Sequence, residues 1–343
     1  VTVPATAAAA VVLASVLDAA VAEPPARIHP VALFGRLAAR VDRGGDGQTA
    51  ADGWSSPRLA GVVAALILPL LAAGVAVAAV AAGTALHPWT GAAAAGLVLL
   101  STTSLRRLLD RAREVIAASE GDLGAARRDL RALAGRDAAS LDAAHVRSAA
   151  VESLAENLAD GLVAPLVAFA AVVAAVGAAG VGSVAGADPG LAFGAGAAAW
   201  VKAVNTLDSM LGYRSKPVGW APARLDDVVM WLPARLSACL LGVASGAPGL
   251  PFRRRVRRLA HEPASPNSGW PMATMVAALP ARLTKPGAYD LDPGGIGGSG
   301  RSAGGEAPDA APLPDAATAT RAVGLTRRAG LLAAALAGVV AWF

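Results

Sequence analysis

LAGVVAALILPLLAAGVAVAAVAAGTAL (Leu59–Leu86) carries no charged residue along its whole length. A helix needs about 20 apolar residues to cross the hydrocarbon core of a bilayer, so this run spans one with room for tilt. Its Ala and Gly content gives a modest transfer free energy, yet small residues let helices approach closely and favour a compact bundle. The same pattern recurs outward from it: Leu162–Ala187 is uncharged, and Ala329–Phe343 is a shorter apolar tail. The chain of 343 residues is 55% hydrophobic and only 16% charged, with a positive mean hydropathy. Such values fit a chain solvated largely by lipid. The sequence predicts an all-α protein, a polytopic integral membrane helical bundle with amphipathic helices and polar loops outside the bilayer.

Weaker signals fill in the outline. Val3–Ala22 is apolar up to Asp18 and lacks a basic leader, which reads as a non-cleaved span or a membrane-embedded half-helix. Residues 105–160 place Leu105, Leu108, Leu109, Ala112, Val115 and Ile116 at helical spacing among charges, with a turn at Gly135–Asp137. Val228–Val243 is apolar except for Arg235. Segments 24–58, 105–160, 202–224 and 253–285 hold nearly all the Arg and Lys. Placing them on one side, the cytoplasmic one, requires an even number of crossings between them. Residues 89–104 supply the return after Leu86, and 190–201 would pair with 162–187. The expected division is a membrane-embedded domain over 1–285, a flexible Gly/Pro/Ala-rich linker over 286–322 and an apolar helix over 323–343.

Net charge is +5. Much of the excess lies in RRRVRR (Arg253–Arg258), which has no interleaved aromatics and reads as a membrane-surface cluster rather than a nucleic-acid site. The lone Cys239 excludes an intrachain disulfide. GIGGSG (Gly295–Gly300) matches a dinucleotide fingerprint only formally, because no strand precedes it, and no Gly-Lys pair offers a Walker loop.

Two polar strings interrupt this apolar background. In AAVESLAENLADGLVAPL (Ala149–Leu166), Glu152, Glu156 and Asp160 recur every fourth residue, with Asn157 beside them. Like charges on one helix face repel, and a divalent cation would relieve them; a solvated face screened by Arg147 would do so too. KAVNTLDSMLGYR (Lys202–Arg214) sets Lys202, Asn205 or Thr206, and Asp208 or Ser209 at helical spacing, followed by Tyr213 and Arg214. ARLDDVVMWLPARL (Ala223–Leu236) adds Arg224, Asp226 and Asp227. Hard oxygen ligands beside phosphate-binding cations are what metal-assisted phosphoryl chemistry requires, and Mg²⁺ in particular binds through one or two carboxylates plus substrate phosphate. Simple ion pairing of Asp208 or Asp227 with Lys202, Arg224 or Arg235 is the structural alternative. SPNSGWP (Ser265–Pro271) opens a further helix-like run, where Ser265 or Asn267 would suit an N-cap and free amides would hold an anion.

HPVALFG (His29–Gly35), GRDAASLD (Gly135–Asp142), the strings above and SPNSGWPMATMVAAL (Ser265–Leu279), in this order, resemble the CobD/CbiB family of cobalamin biosynthesis. The likeness covers roughly residues 18 to 290; where the family has Gly-Asp-Pro near its start, this chain has Ala22-Glu23-Pro24. The resemblance implies adenosylcobinamide-phosphate synthase, a membrane ligase. That enzyme joins a propionate carboxylate of adenosylcobyric acid to aminopropanol or its O-phosphate, with ATP and Mg²⁺. A carboxylate does not condense with an amine in water without activation, so an acyl phosphate is the natural intermediate. On this reading Glu152, Glu156, Asp160, Lys202 and Asp208 are the catalytic candidates. Asp208, Asp226 and Asp227 are the metal candidates. His29, Asn157, Asn205, Ser209, Tyr213, Arg214, Arg224 and Asn267 are the substrate-binding candidates. The expected partners are the corrinoid, the amine and the lipid bilayer of the cell membrane, with no nucleic acid and with room for self-association. A membrane sensor of cell-wall stress and a Mg²⁺-dependent membrane phosphotransferase are the competing classes.

Overall fold

A polar residue followed by proline starts the apolar helices that begin at Pro30, Pro57, Pro88 and Pro189, because proline's missing N–H is one the first turn cannot use. The computed structural model describes residues 3–21, 27–42, 56–134, 138–182, 188–212, 216–279, 281–294 and 310–343. In chain order its helices are α1 (Val3–Val21), α2 (Pro30–Ala39), α3 (Pro57–Leu86), α4 (Pro88–Thr102), α5 (Leu105–Gly121), α6 (Leu123–Ala134) and α7 (Ala143–Leu158). A π-helical turn, Ala159–Val163, leads into α8 (Ala164–Ala178). There follow α9 (Pro189–Leu211), α10 (Trp220–Val229), α11 (Trp231–Ala244), α12 (Arg254–Leu259) and α13 (Gly269–Ala278). A short hairpin, β1 (Leu283–Lys285) and β2 (Tyr289–Leu291), precedes α14 (Ala316–Trp342). The side chains of His87 and Asp188 cap α4 and α9 by accepting from Trp89 N and Leu191 N.

The protein is the expected all-α polytopic membrane bundle. Four helical stretches are long and apolar enough to cross a membrane, Pro57–Leu86, Pro88–Gly121, Ala143–Ala178 and Ala316–Trp342, or five if the α10–α11 pair counts as one. The N-terminal run forms the shorter apolar helix Ala5–Val21. On α3, Leu66, Leu70 and Val75 are each about three-fifths exposed, which marks a lipid-facing side.

Contacts divide the described residues into two compact units, each discontinuous in sequence. The first comprises residues 1–104, 160–233 and 333–343. Here α9 packs on α3, α4 and α8, and α1 packs on α4. Glycine makes these approaches: a Cβ on Gly194 would lie 2.7 Å from Val173 Cγ2, and one on Gly196 would meet Val77. The second unit comprises residues 105–159 and 234–332. Its α5 buries Leu108, Leu109, Ala112, Val115 and Ile116 as the periodicity predicts. Its outer face pairs Arg106 and Arg113 with Asp110, and Arg111 with Glu114.

Three local features depart from the sequence reading. α7 is no surface helix: Ser148 through Ala155 are all buried, packed against by α5, α6, α13 and β1. The Gly-rich stretch near 190 is the first half of α9, continuous with the second polar string. The 286–322 stretch begins inside the hairpin, and α14 starts at Ala316; the intervening residues 295–309 lie outside the described residues, as do Ala22–Pro24 and Gly135–Asp137.

Candidate functional site

In the first unit the π-helical turn carries Asp160. A π turn holds one residue more than an α turn and is found preferentially at functional positions. It also interrupts the α-helical spacing on which the period-four stripe of Glu152, Glu156 and Asp160 rests. Gly161 O accepts from Ser104 N at 3.0 Å and fixes the turn.

Lys202, Asn205 and Asp208 follow one another at three-residue spacing on α9 and share a face. Asn205 is buried, its side chain hydrogen-bonds to Asp160, and its Nδ2 donates to Asp226 Oδ1 at 3.5 Å. The Lys202 charge acts on Asp160, and Asp226 lies within the electrostatic reach of Asp160, Asp208 and Asp227. Arg224 extends from α10 into solvent and pairs with Asp227 at 3.5 Å. Thr206 and Ser209 turn their hydroxyls back onto the carbonyls of Lys202 and Asn205.

Two glycines bring α10 to this face. A Cβ on Gly219 would collide with the Leu211 carbonyl, and one on Gly61 of α3 with the Val218 carbonyl. The segment before α10 therefore rests directly on the C-terminal end of α9 and on α3. Lys216 adds an ion pair to Asp42.

Beside these groups lies an open cleft of about 580 Å³, lined by Phe34, Leu71, Val75, Leu97, Lys202 and Thr206 among others. A cationic head in an otherwise apolar wall suits a large amphiphile with an anionic group.

The carboxylates Asp160, Asp208, Asp226 and Asp227 face two cations, Lys202 and Arg224. A further cation or a proton would offset the repulsion within such a set. Among the described residues no three His, Cys, Asp or Glu side chains form a preformed metal cage. Mg²⁺ does not need one, since it commonly uses one or two carboxylates and completes its shell with water and phosphate. Asp208, Asp226 and Asp227 fit that mode.

The other predicted residues have definite places. His29 Nδ1 accepts from Val31 N at 3.2 Å and caps α2. Tyr213 and Arg214 lie outside the described residues. In the second unit Glu152 is fully buried and accepts from the Tyr289 hydroxyl at 2.8 Å, while Glu156 is half-buried one turn on. Asn157 Nδ2 donates to Ser153 O. Asn267 Oδ1 accepts from Arg235 Nη1 at 2.8 Å, and that guanidinium stacks 5.0 Å from the centre of the Trp270 ring. Ser265, not Asn267, serves the local amides, accepting from Asn267 N and Ser268 N. Sequence reasoning missed Tyr289 and the hairpin that presents it. The signal was Pro286-Gly287, a turn pair in which Gly287 sits at φ +76°.

The profile of the family described as "CobD/Cbib protein" matches residues 11–307. The chain is 32% identical over 294 residues to a "Probable cobalamin biosynthesis protein CobD" of Methanothrix thermoacetophila, covering 82% of this chain and 84% of that one. It is 36% identical over 304 residues to a "Cobalamin biosynthesis protein CobD" of Rhodobacter capsulatus, covering 82% and 83%. It is 34% identical over 284 residues to a "Cobalamin biosynthesis protein CbiB" of Salmonella choleraesuis, covering 81% and 82%. No solved structure matches the chain.

Proposed function

This chain belongs to the CobD/CbiB family and so has a role in cobalamin biosynthesis; from that premise we propose that it is an amide-forming ligase acting on a corrinoid carboxylate. The substrates are adenosylcobyric acid and aminopropanol or its O-phosphate. One observation carries the proposal: Asp160, Lys202, Asn205, Asp208 and Asp226 converge in a bundle that is otherwise apolar. Desolvating so many ionisable groups costs stability and is retained where chemistry needs it.

Bound ATP with Mg²⁺ would supply the activation that lets a carboxylate react with an amine. The residues of this chain have separate tasks. Asp208, Asp226 and Asp227 would hold the cation, and Lys202 and Arg224 would hold phosphate oxygens. Asn205 donates from Nδ2 and sets the positions of the acidic groups it touches. An amine attacks only as the free base, so a carboxylate oxygen of Asp160 takes the ammonium proton. The apolar cleft beside Lys202 receives the hydrocarbon side of the corrinoid and keeps water from the activated carboxyl. Glu152 and Glu156, candidate bases by sequence, lie in the second unit and take no part in this step. The arginine-rich segments support a cytoplasmic position for the polar loops at the cell membrane.

The test is direct. Membranes containing the chain are incubated with adenosylcobyric acid, ATP, Mg²⁺ and either aminopropanol or its phosphate. Amide product and ADP should appear together and in equal amounts. Neither product with either amine would refute the ligase reading and return attention to a non-catalytic membrane role.

A further inference from the structure

In the second unit, α14 lines an open groove of about 850 Å³ together with the ends of α11 and α13. Its wall includes Ser245, Leu279, Arg321, Arg327, Arg328 and Leu331. Among the described residues no carboxylate lines it. Arg321, Gly324, Leu325, Arg328 and Leu331 succeed one another at three- and four-residue spacing, so they share one face of α14. Arg321 is partly engaged: its Nη2 donates to Thr318 Oγ1 at 2.9 Å, and Asp315 feels its charge. Among the described residues no carboxylate pairs with Arg327 or Arg328, and both are exposed.

Three guanidinium groups around one groove repel each other and do not favour a helix on their own account. The sequel of the same helix says where they stand. Leu331, Leu336 and Val339 are each more than half exposed. From Arg328 to Trp342 α14 rises about 21 Å, most of the thickness of a hydrocarbon core. The arginines thus mark the border where an apolar, outward-facing helix emerges into the head-group layer.

We propose that this groove binds an anionic phospholipid of the surrounding bilayer. Arg327 and Arg328 hold the phosphodiester, and one acyl chain lies along Leu279 and Leu331. Guanidinium suits the task because it is weakly hydrated and donates two parallel hydrogen bonds to phosphate oxygens. The groove is remote in function from the proposed ligase site and needs none of its residues.

The experiment uses the full chain, purified in nonionic detergent, stripped of lipid and followed by intact-complex mass spectrometry. Phosphatidylglycerol, phosphatidylcholine and glycerol 3-phosphate are titrated in separate arms. Saturable binding of phosphatidylglycerol is expected, with phosphatidylcholine much weaker and glycerol 3-phosphate failing to compete. The R327Q/R328Q double variant should weaken phosphatidylglycerol binding by about tenfold or more. R254Q/R257Q in α12 removes as much charge elsewhere and should change nothing. Gly324→Leu keeps every arginine and fills a position where an added Cβ meets no atom within 4 Å, so it should weaken binding by obstruction. Unchanged affinity in both R327Q/R328Q and Gly324→Leu overturns the proposal. So does an equal loss in the α12 variant, which would mean unspecific charge, or full competition by glycerol 3-phosphate, which would mean a free-phosphate site.

Discussion

Tyr289 reaches across 137 residues of chain to donate its hydroxyl to Glu152 Oε2 at 2.8 Å. A second clasp lies one turn away on α7, where Thr284 N donates to Ser148 Oγ at 3.0 Å. The hairpin is therefore fastened to a buried helix at both strands, and a fully buried carboxylate gains a donor.

Tyr289→Phe removes that donor and keeps the ring. The cost should be about 1–3 kcal/mol, because a buried acceptor loses a partner that water does not replace. Thermal unfolding in detergent reads it out, with Lys285→Ala on the exposed end of β1 as the comparison. A melting temperature equal to that of the parent would show that the hydrogen bond contributes nothing.

Asp226→Asn and Asp208→Asn address the polar cluster of the first unit. Each should lower amide formation by on the order of 100-fold or more, while the protein still inserts and purifies normally. Asp227→Asn tests the third candidate for holding the cation, and a rise in the Mg²⁺ concentration needed for half-maximal rate is its expected signature. Full activity in all of these variants would remove the metal-assisted reading.

Gly219→Ala tests how α10 is brought to α9. The new methyl would run into the Leu211 carbonyl, so the segment must shift, with loss of both stability and product formation. Gly74→Ala, in the open on α3, has nothing within 4 Å of its added carbon. It should be neutral or stabilising by about 0.4–1 kcal/mol. If the two variants behave alike in unfolding and activity assays, the close approach is not what positions Asp226.

The hairpin region also sets a pH response. Burial holds the Glu262 carboxyl above its usual range, with the Asp290 charge adding to it. Burial likewise raises Asp290, against the pull of Arg282. A folded pKa above the unfolded one means that the folded state binds more protons. The penalty is full above the folded values and fades as pH falls through them toward the ordinary carboxylate range of about 4. Glu262→Gln should therefore raise the melting temperature at neutral pH and flatten its rise on mild acidification. An unaltered pH profile in that variant would be inconsistent with this partly desolvated acidic pair.

The sequence conveyed the bundle because lipid imposes a simple rule, and the run from Leu59 to Leu86 obeys it without exception. It also conveyed the members of the polar cluster, since Lys202, Asn205 and Asp208 lie on one helix face whatever surrounds them. Asp160 was legible as a residue but not as a geometry: an added residue in a π turn leaves no mark in a list of apolar positions. The setting of α7 was hidden for a different reason. Ser148 and Glu152 look like surface positions until the partners that bury them arrive from residues 284 and 289. Gly194 and Gly196 in α9 are contact surfaces for Val173 and Val77, which composition alone does not reveal.

The discontinuity of both units bears on how the molecule is made. The chain leaves the first unit after Ser104, returns at Asp160, leaves again after Pro233 and returns at Ala333. Domains usually fold in turn as they leave the ribosome, the earlier before the later. Here α1 to α4 form a unit that also takes in the C-terminal end of α14. That unit is therefore complete only once residues 333–343 have been made. A stop codon placed before Ala333 would leave both polar strings intact and still deprive that unit of its closing segment.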